Sequence, residues 1–341
     1  HDWFLFGSRG VDFFFVLSGF VIAYVHWSDL GRSERIPRYA AKRFVRVYPV
    51  LWAVSIPMIC ASWLISSEYL PASWQDQFNI ATTSLTLLPS QLPPLPDVAW
   101  TLKHEVLFYA LYALVLCRPR LGSALLLGWA ALCASYLAGG HDSNFLVDFL
   151  LSPYNLEFLL GVGCGWLMRN RSVPCPRLIF GLGLVGFIAA GFSYVPPPVL
   201  HAWDPNPTTG GQLAGFSLSS ALIILGLAQI SLSRPTTVPR PLALLGNASY
   251  SIYLIHVPAI SAACKALKLA VGEVDPLVAL ALASSAGALA GVGMHLLVEL
   301  PILKAGRQAL SLEPRRGVAE NRPQRNPGET PAAIRAIKEP A

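Results

Sequence analysis

Gly10-Val11-Asp12-Phe13-Phe14-Phe15-Val16-Leu17-Ser18-Gly19-Phe20 opens an apolar run that continues to Trp27. At about 1.5 Å per residue, a helix from Val11 to Trp27 crosses most of a hydrocarbon core about 30 Å thick. Asp12 is the anomaly in it. An ionisable side chain inside a membrane helix costs on the order of 2.5–3.5 kcal/mol, so Asp12 requires a partner or a place at the interface. The plainer alternative is an acid that caps a helix start beside Gly10. Ser18-Gly19 supplies a small-residue face on which a second helix can pack.

The remainder of the chain repeats this character. Hydrophobic residues are 54% of the 341 and charged residues 13%, about half the charged share of soluble domains, and the mean hydropathy is +0.51. The composition predicts an all-α fold, a polytopic membrane helix bundle. Apolar segments at 11–27, 44–65, 100–117, 121–138, 153–168, 178–195, 213–231, 242–263 and 277–303 give nine candidate spans. The six cysteines are scattered without a CxxC pair; they read as apolar packing residues, and no metal site is expected. Gly181 to Gly186 spells GxGxxG inside an apolar span without strand context, which points to close helix packing, as do Gly161, Gly163 and Gly165.

The net charge of +6 needs no nucleic-acid partner, because topology explains it. All of the 25 Lys and Arg except Arg9, Lys103, Lys265 and Lys268 fall in alternate loops or after the last span. By the positive-inside rule those loops and the tail are cytoplasmic, whereas 66–99 and the Pro-rich 196–212 are external loops, the first covering a site at the outer surface. The spanning domain is expected over 1–304 and a largely disordered cytoplasmic tail over 305–341. An odd span number, with a first span that starts outside, predicts one more helix upstream of His1.

Four polar constellations remain. Arg43 and Arg46 are one turn apart at the inner boundary, a pair of guanidiniums suited to phosphates or, equally, to lipid headgroups. Trp100-Thr101-Leu102-Lys103-His104-Glu105 leads an otherwise apolar helix, near its outer end, in which Glu105 and Tyr109 share a face. Ser249, Tyr253 and His256 form a polar stripe. His295 and Glu299 are spaced four apart before Pro301, as a site or as a satisfied ion pair.

These stretches carry a resemblance. GVDFFFVLSGF, RFVRVYP, WTLKHEVLFY, LGNASYSIYLIH and VELP, in this order from about Gly10 to Lys304, resemble the acyltransferase family 3 of integral-membrane O-acyltransferases. The resemblance implies a ten-helix bundle in the bacterial cytoplasmic membrane. It also implies an acyl-CoA donor, usually acetyl-CoA, no permanently bound cofactor, and a hydroxyl acceptor on a glycan or another envelope or secreted molecule. It further implies a catalytic histidine in a first helix; His1 is either that histidine or a residue that follows it. Arg43 and Arg46 would then hold the CoA phosphates, and Glu105 would orient the acceptor or the histidine. Tyr109 and His256 are further catalytic candidates, with Asp12, Ser18, Trp100, Ser249, Tyr253 and Glu299 as supporting residues. A transporter of small molecules or glycan intermediates is the alternative, since it also needs intramembrane carboxylates; the missing paired repeats of broken helices weigh against it.

Overall fold

Backbone polar groups in hydrocarbon have no water to turn to, so a chain this apolar crosses as helices. The computed structural model describes residues 7–64, 73–139, 144–194, 210–233, 237–272 and 274–311, and all regular structure among them is helical. The order is α1 Gly10–Val25, α2 Ile36–Leu64, α3 Trp74–Thr86, α4 Trp100–Cys117, α5 Pro119–Gly139, α6 Phe145–Leu150 and α7 Tyr154–Asn170. There follow α8 Pro176–Phe192, α9 Gly210–Ser233, α10 Arg240–Asn247, α11 Ser249–Val271, α12 Pro276–Met294 and α13 Leu300–Ser311. A π-helical turn, His295–Glu299, joins the last two.

Each expected span overlaps a helix, 242–263 taking in parts of both α10 and α11, but among the described residues seven helices, not nine, are long and apolar enough to cross a membrane. The two that fall short do so for different reasons. Helix α8 is apolar but short. Helix α4 carries Lys103, His104 and Glu105 in its second turn, and it tolerates them because every residue from Trp100 to Glu105 is buried by neighbouring helices. The 66–99 segment, expected as a loop, contains α3. That helix buries Ile80, Ala81 and Ser84, and its C-terminal carbonyls are bound by α2: the Trp52 indole donates to Leu85 O at 2.8 Å and the Tyr48 hydroxyl to Thr86 O at 3.1 Å. Helix α13 runs through the boundary expected at 304. His1 and residues 312–341 lie outside the described residues.

Lipid is as apolar as a leucine side chain, so close packing, and not escape from water, holds such helices together. The tightest approach joins α1 to α7. A Cβ at Gly19 would strike the Phe158 carbonyl, and one at Gly161 the Val16 carbonyl. Either addition forces the two backbones apart. Within this seam Phe15 meets Phe158 at 4.7 Å between ring centroids, and Phe158 stacks on Phe108 of α4 at 4.6 Å. Trp100 packs on Tyr154 at 5.1 Å. Aromatic pairs of this kind are worth about 0.5–1.5 kcal/mol each beyond burial, and here they fix the position of α4 and hence of Glu105.

Candidate active site

A cavity of about 420 Å³ opens between α1, α2, α4 and α11. Its polar wall is Ser18 from α1, Arg43 and Arg46 from α2, Glu105 and Tyr109 from α4, and Ser249, Tyr250 and Tyr253 from α11; Phe13, Phe14 and Leu17 supply an apolar wall. Arg43 and Arg46 also line a second, more open space of about 580 Å³ with Arg38 and Lys42. The two arginines therefore stand at the junction of a basic vestibule and a mostly apolar chamber. Sequence reasoning placed the arginine pair and Glu105 at opposite ends of the bundle; folding puts all three in one chamber.

Glu105 is 6% exposed. Its Oε1 accepts from Ser18 Oγ at 3.0 Å and from the Tyr109 hydroxyl. The Tyr109 contact follows from the i, i+4 spacing on α4. No hydrogen bond among the described residues is made to Oε2, which leaves that oxygen free to accept from a molecule in the chamber. The donors to Oε1 are neutral hydroxyls, so the carboxylate is oriented without being neutralised by a direct ion pair.

The arginines are held from behind. Arg46 forms an ion pair with Glu299, and its guanidinium lies 5.2 Å from the Tyr250 ring centroid. Glu299 is fully buried; its other oxygen accepts from Ser251 Oγ at 2.7 Å and pairs with His295 Nδ1 at 2.8 Å. The π-turn brings His295 and Glu299 inward together, a local irregularity of the sort that accompanies functional sites. Arg43 contacts His26 Nε2 at 2.9 Å and lies over the Tyr109 ring at 5.5 Å.

The other candidates are distributed around this chamber. The Tyr253 hydroxyl binds Thr101 Oγ1 at 2.7 Å and Val98 O at 2.8 Å, while its ring stacks on Phe14 at 5.8 Å. Ser249 lines the chamber at the start of α11. Trp100 belongs to the aromatic packing behind it. His256 is not brought to Glu105: its Nδ1 meets the Tyr253 carbonyl at 2.7 Å, one turn back on its own helix. Asp12 has the partner that its burial demands, Arg9 Nη1 at 3.8 Å, but lies apart from the chamber lining.

Three groups escaped the sequence reading. Glu157 is 1% exposed in the first turn of α7, where its Oε1 accepts from Ser217 Oγ at 2.7 Å; the rule that singled out Asp12, an acid in an apolar span, would have found it. Tyr250 and Ser251 were quoted within a motif without a role. His26 falls in the last residues of the first apolar run and Asp29 just past it, a stretch read only as a span end.

No solved structure matches the chain, whereas comparison of sequences is informative. A family model described as an acyltransferase domain matches residues 1–294. The exopolysaccharide production protein ExoZ of Rhizobium meliloti is 31% identical over 89% of this chain and 92% of its own. The peptidoglycan O-acetyltransferase OatA of Listeria monocytogenes is 24% identical over 75% of this chain and 45% of its own, and the acyltransferase MdmB of Streptomyces mycarofaciens is 26% identical over 73% and 67%. Nearly the whole spanning region, chamber included, lies within these matches, and the chain belongs to the acyltransferase family 3 of integral-membrane acyltransferases.

Proposed function

We propose that this membrane acyltransferase moves an acetyl group from acetyl-CoA to a hydroxyl of a glycan of the cell envelope or a secreted polysaccharide. The observation that carries the reading is the shared position of Arg43 and Arg46, which line both the basic vestibule and the chamber that contains Glu105. CoA phosphates in the vestibule would meet four cationic side chains, three of them guanidiniums with the planar fork that suits phosphate. The thioester arm would then enter between the arginines and present its carbonyl to the chamber. The names of ExoZ and OatA support a glycan acceptor.

In the transfer, the acceptor oxygen attacks the thioester carbonyl carbon, the C–S bond breaks, and CoA leaves as the thiolate that takes up a proton. Glu105 Oε2 accepts from the acceptor hydroxyl and orients its oxygen, or holds the imidazole that takes its proton. The histidine that the family supplies as base would be His1 or lie beside it. Guanidinium donors at the junction stabilise the charge that develops on the thioester oxygen.

Purified protein reconstituted in lipid vesicles, incubated with radiolabelled acetyl-CoA and envelope glycans, tests this reading. Label in the glycan supports it; uptake of glycan into vesicles without label transfer overturns it in favour of transport. The vestibule should face the cytosol. Cysteines introduced at Ser73 and Ser172 should therefore differ in labelling by an impermeant thiol reagent in intact cells, Ser73 reacting and Ser172 protected. Equal labelling would remove the cytosolic route for the donor.

A further inference from the structure

Arg43 is held at the junction by a chain of contacts that begins outside the chamber. Its Nη2 lies 2.9 Å from Nε2 of His26, the residue that closes α1. His26 Nδ1 lies 2.8 Å from Asp29 Oδ2, and Asp29 is paired in turn with Arg35. A guanidinium has donors and no acceptor, so the atom it meets must offer a lone pair. Nε2 is therefore the acceptor, the ring proton sits on Nδ1, and that N–H donates to Asp29. One tautomer of a neutral imidazole satisfies both neighbours. The ring is 3% exposed, and the Tyr39 ring stands edge-on to it at 4.9 Å.

We propose that His26, backed by Asp29, is a positioning residue that holds the Arg43 guanidinium at the junction while its ring is neutral and releases it when the ring is protonated. The effect on catalysis rests on Arg43 binding the donor, as proposed above; the effect on Arg43 itself does not. The charged and titratable groups facing the ring are Asp29 beside it, and Tyr39, Lys42 and Arg43 from α2, with Tyr112 of α4 next to Asp29. Burial lowers the His26 pKa below its ordinary value, Asp29 opposes this, and the Arg43 charge adds to it. Above that pKa the ring accepts from Arg43. Below it an N–H faces an N–H and two positive charges meet, so Arg43 loses its anchor as the pH falls.

Nitrogen-15 histidine spectra of the intact protein in nanodiscs test the contact without any substrate, the His26 signal being assigned by its loss in His26→Gln. The neutral Nδ1–H tautomer is expected near pH 7.5, and Arg43→Ala should raise the His26 pKa by removing the adjacent cation. An Nε2–H tautomer, or a titration unchanged in Arg43→Ala, overturns the proposal. Donor kinetics between about pH 5 and 8 supply the functional arm. The wild-type KM for acetyl-CoA should rise several-fold with acid while kcat changes less. His26→Ala should raise KM about tenfold at every pH, the scale of one lost charged hydrogen bond. In His26→Gln the amide oxygen can accept from Arg43 and the amide N–H can serve Asp29, so KM near pH 7.5 should be retained and the acid rise flattened. An acid rise that persists in His26→Gln overturns the proposal. If the wild type transfers nothing from acetyl-CoA, the functional reading fails, and the spectra still decide the His26–Arg43 contact.

Discussion

Asp12 and Glu105 are both carboxylates buried in membrane helices, at 0% and 6% exposure, and their surroundings differ. Asp12 faces Arg9, whose guanidinium also lies over the Tyr194 ring at 4.5 Å and donates to the Tyr194 hydroxyl at 3.2 Å. Glu157 completes that group, and none of its members lines the chamber. Glu105 contacts two hydroxyls and an open space, while the nearby arginines are bonded elsewhere, Arg43 to His26 and Arg46 to Glu299. Burial exacts a comparable penalty from both acids. What separates them is where the charge is answered: inside the protein for Asp12 and, in the function proposed above, by an incoming molecule for Glu105.

The largest effect expected from this contrast is on stability. Asp12→Ala leaves Arg9 in a buried place without its carboxylate, and breaking a buried pair in this way costs about 3–5 kcal/mol. The folded yield and the melting temperature in detergent should drop sharply. Activity per folded molecule should stay within about threefold of wild type, as for a residue outside the reaction. Unchanged melting with activity lost a hundredfold would assign Asp12 to the chemistry and erase the distinction.

Glu105→Gln should give the opposite pattern. The amide keeps the volume and can still accept from Ser18 and Tyr109, so the protein should fold and reach the membrane. Activity should fall about a hundredfold or more, within the range of general acid–base contributions of roughly 10² to 10⁴. Wild-type turnover at equal expression would refute the role; lost expression would make Glu105 a second Asp12.

Arg46 stands between these extremes, because it has a protein partner in Glu299 and also reaches the chamber. Arg46→Ala should raise the KM for acetyl-CoA roughly ten- to a hundredfold if one charged hydrogen bond to phosphate is lost, about 1.5–3 kcal/mol. Glu299→Gln keeps the shape but frees the guanidinium, and should raise the same KM by a smaller factor. Normal CoA binding by calorimetry in both variants would leave Arg46 as a structural and topological charge.

The sequence made the helix-bundle class legible because lipid leaves few choices, although 44–65 lies in a helix that starts at Ile36 and 242–263 is divided between α10 and α11. It overcounted independent spans at α4 because a one-dimensional pattern cannot say that Lys103, His104 and Glu105 are shielded by other helices. The individual candidate residues were picked out for the same reason as the fold: a polar side chain in an apolar segment stands out. Their grouping was not. Ser18, Arg46, Glu105 and Tyr253 come from four helices, and only the crossing geometry set by seams such as Gly19 against Phe158 brings them together. His26 was hidden because a histidine at the end of a span is unremarkable until its partners on α2 and in the following turn are known.

The smallest effect should come from Tyr109→Phe, and it sharpens the contrast most finely. The Tyr109 and Ser18 hydroxyls donate to the same oxygen of Glu105, so each removes part of its freedom to rotate. Phenylalanine keeps the ring beneath Arg43 and deletes one neutral donor, a loss of about 0.5–1.5 kcal/mol and hence roughly two- to tenfold in kcat/KM. Ser18→Ala should behave in the same way. The double variant should lose more than the product of the two, because one hydroxyl suffices to orient the carboxylate and none does not. Should Tyr109→Phe alone match the loss in Glu105→Gln, the phenol would be exchanging a proton with the reactants itself. The carboxylate would then be its positioning residue, with the roles within the pair reversed.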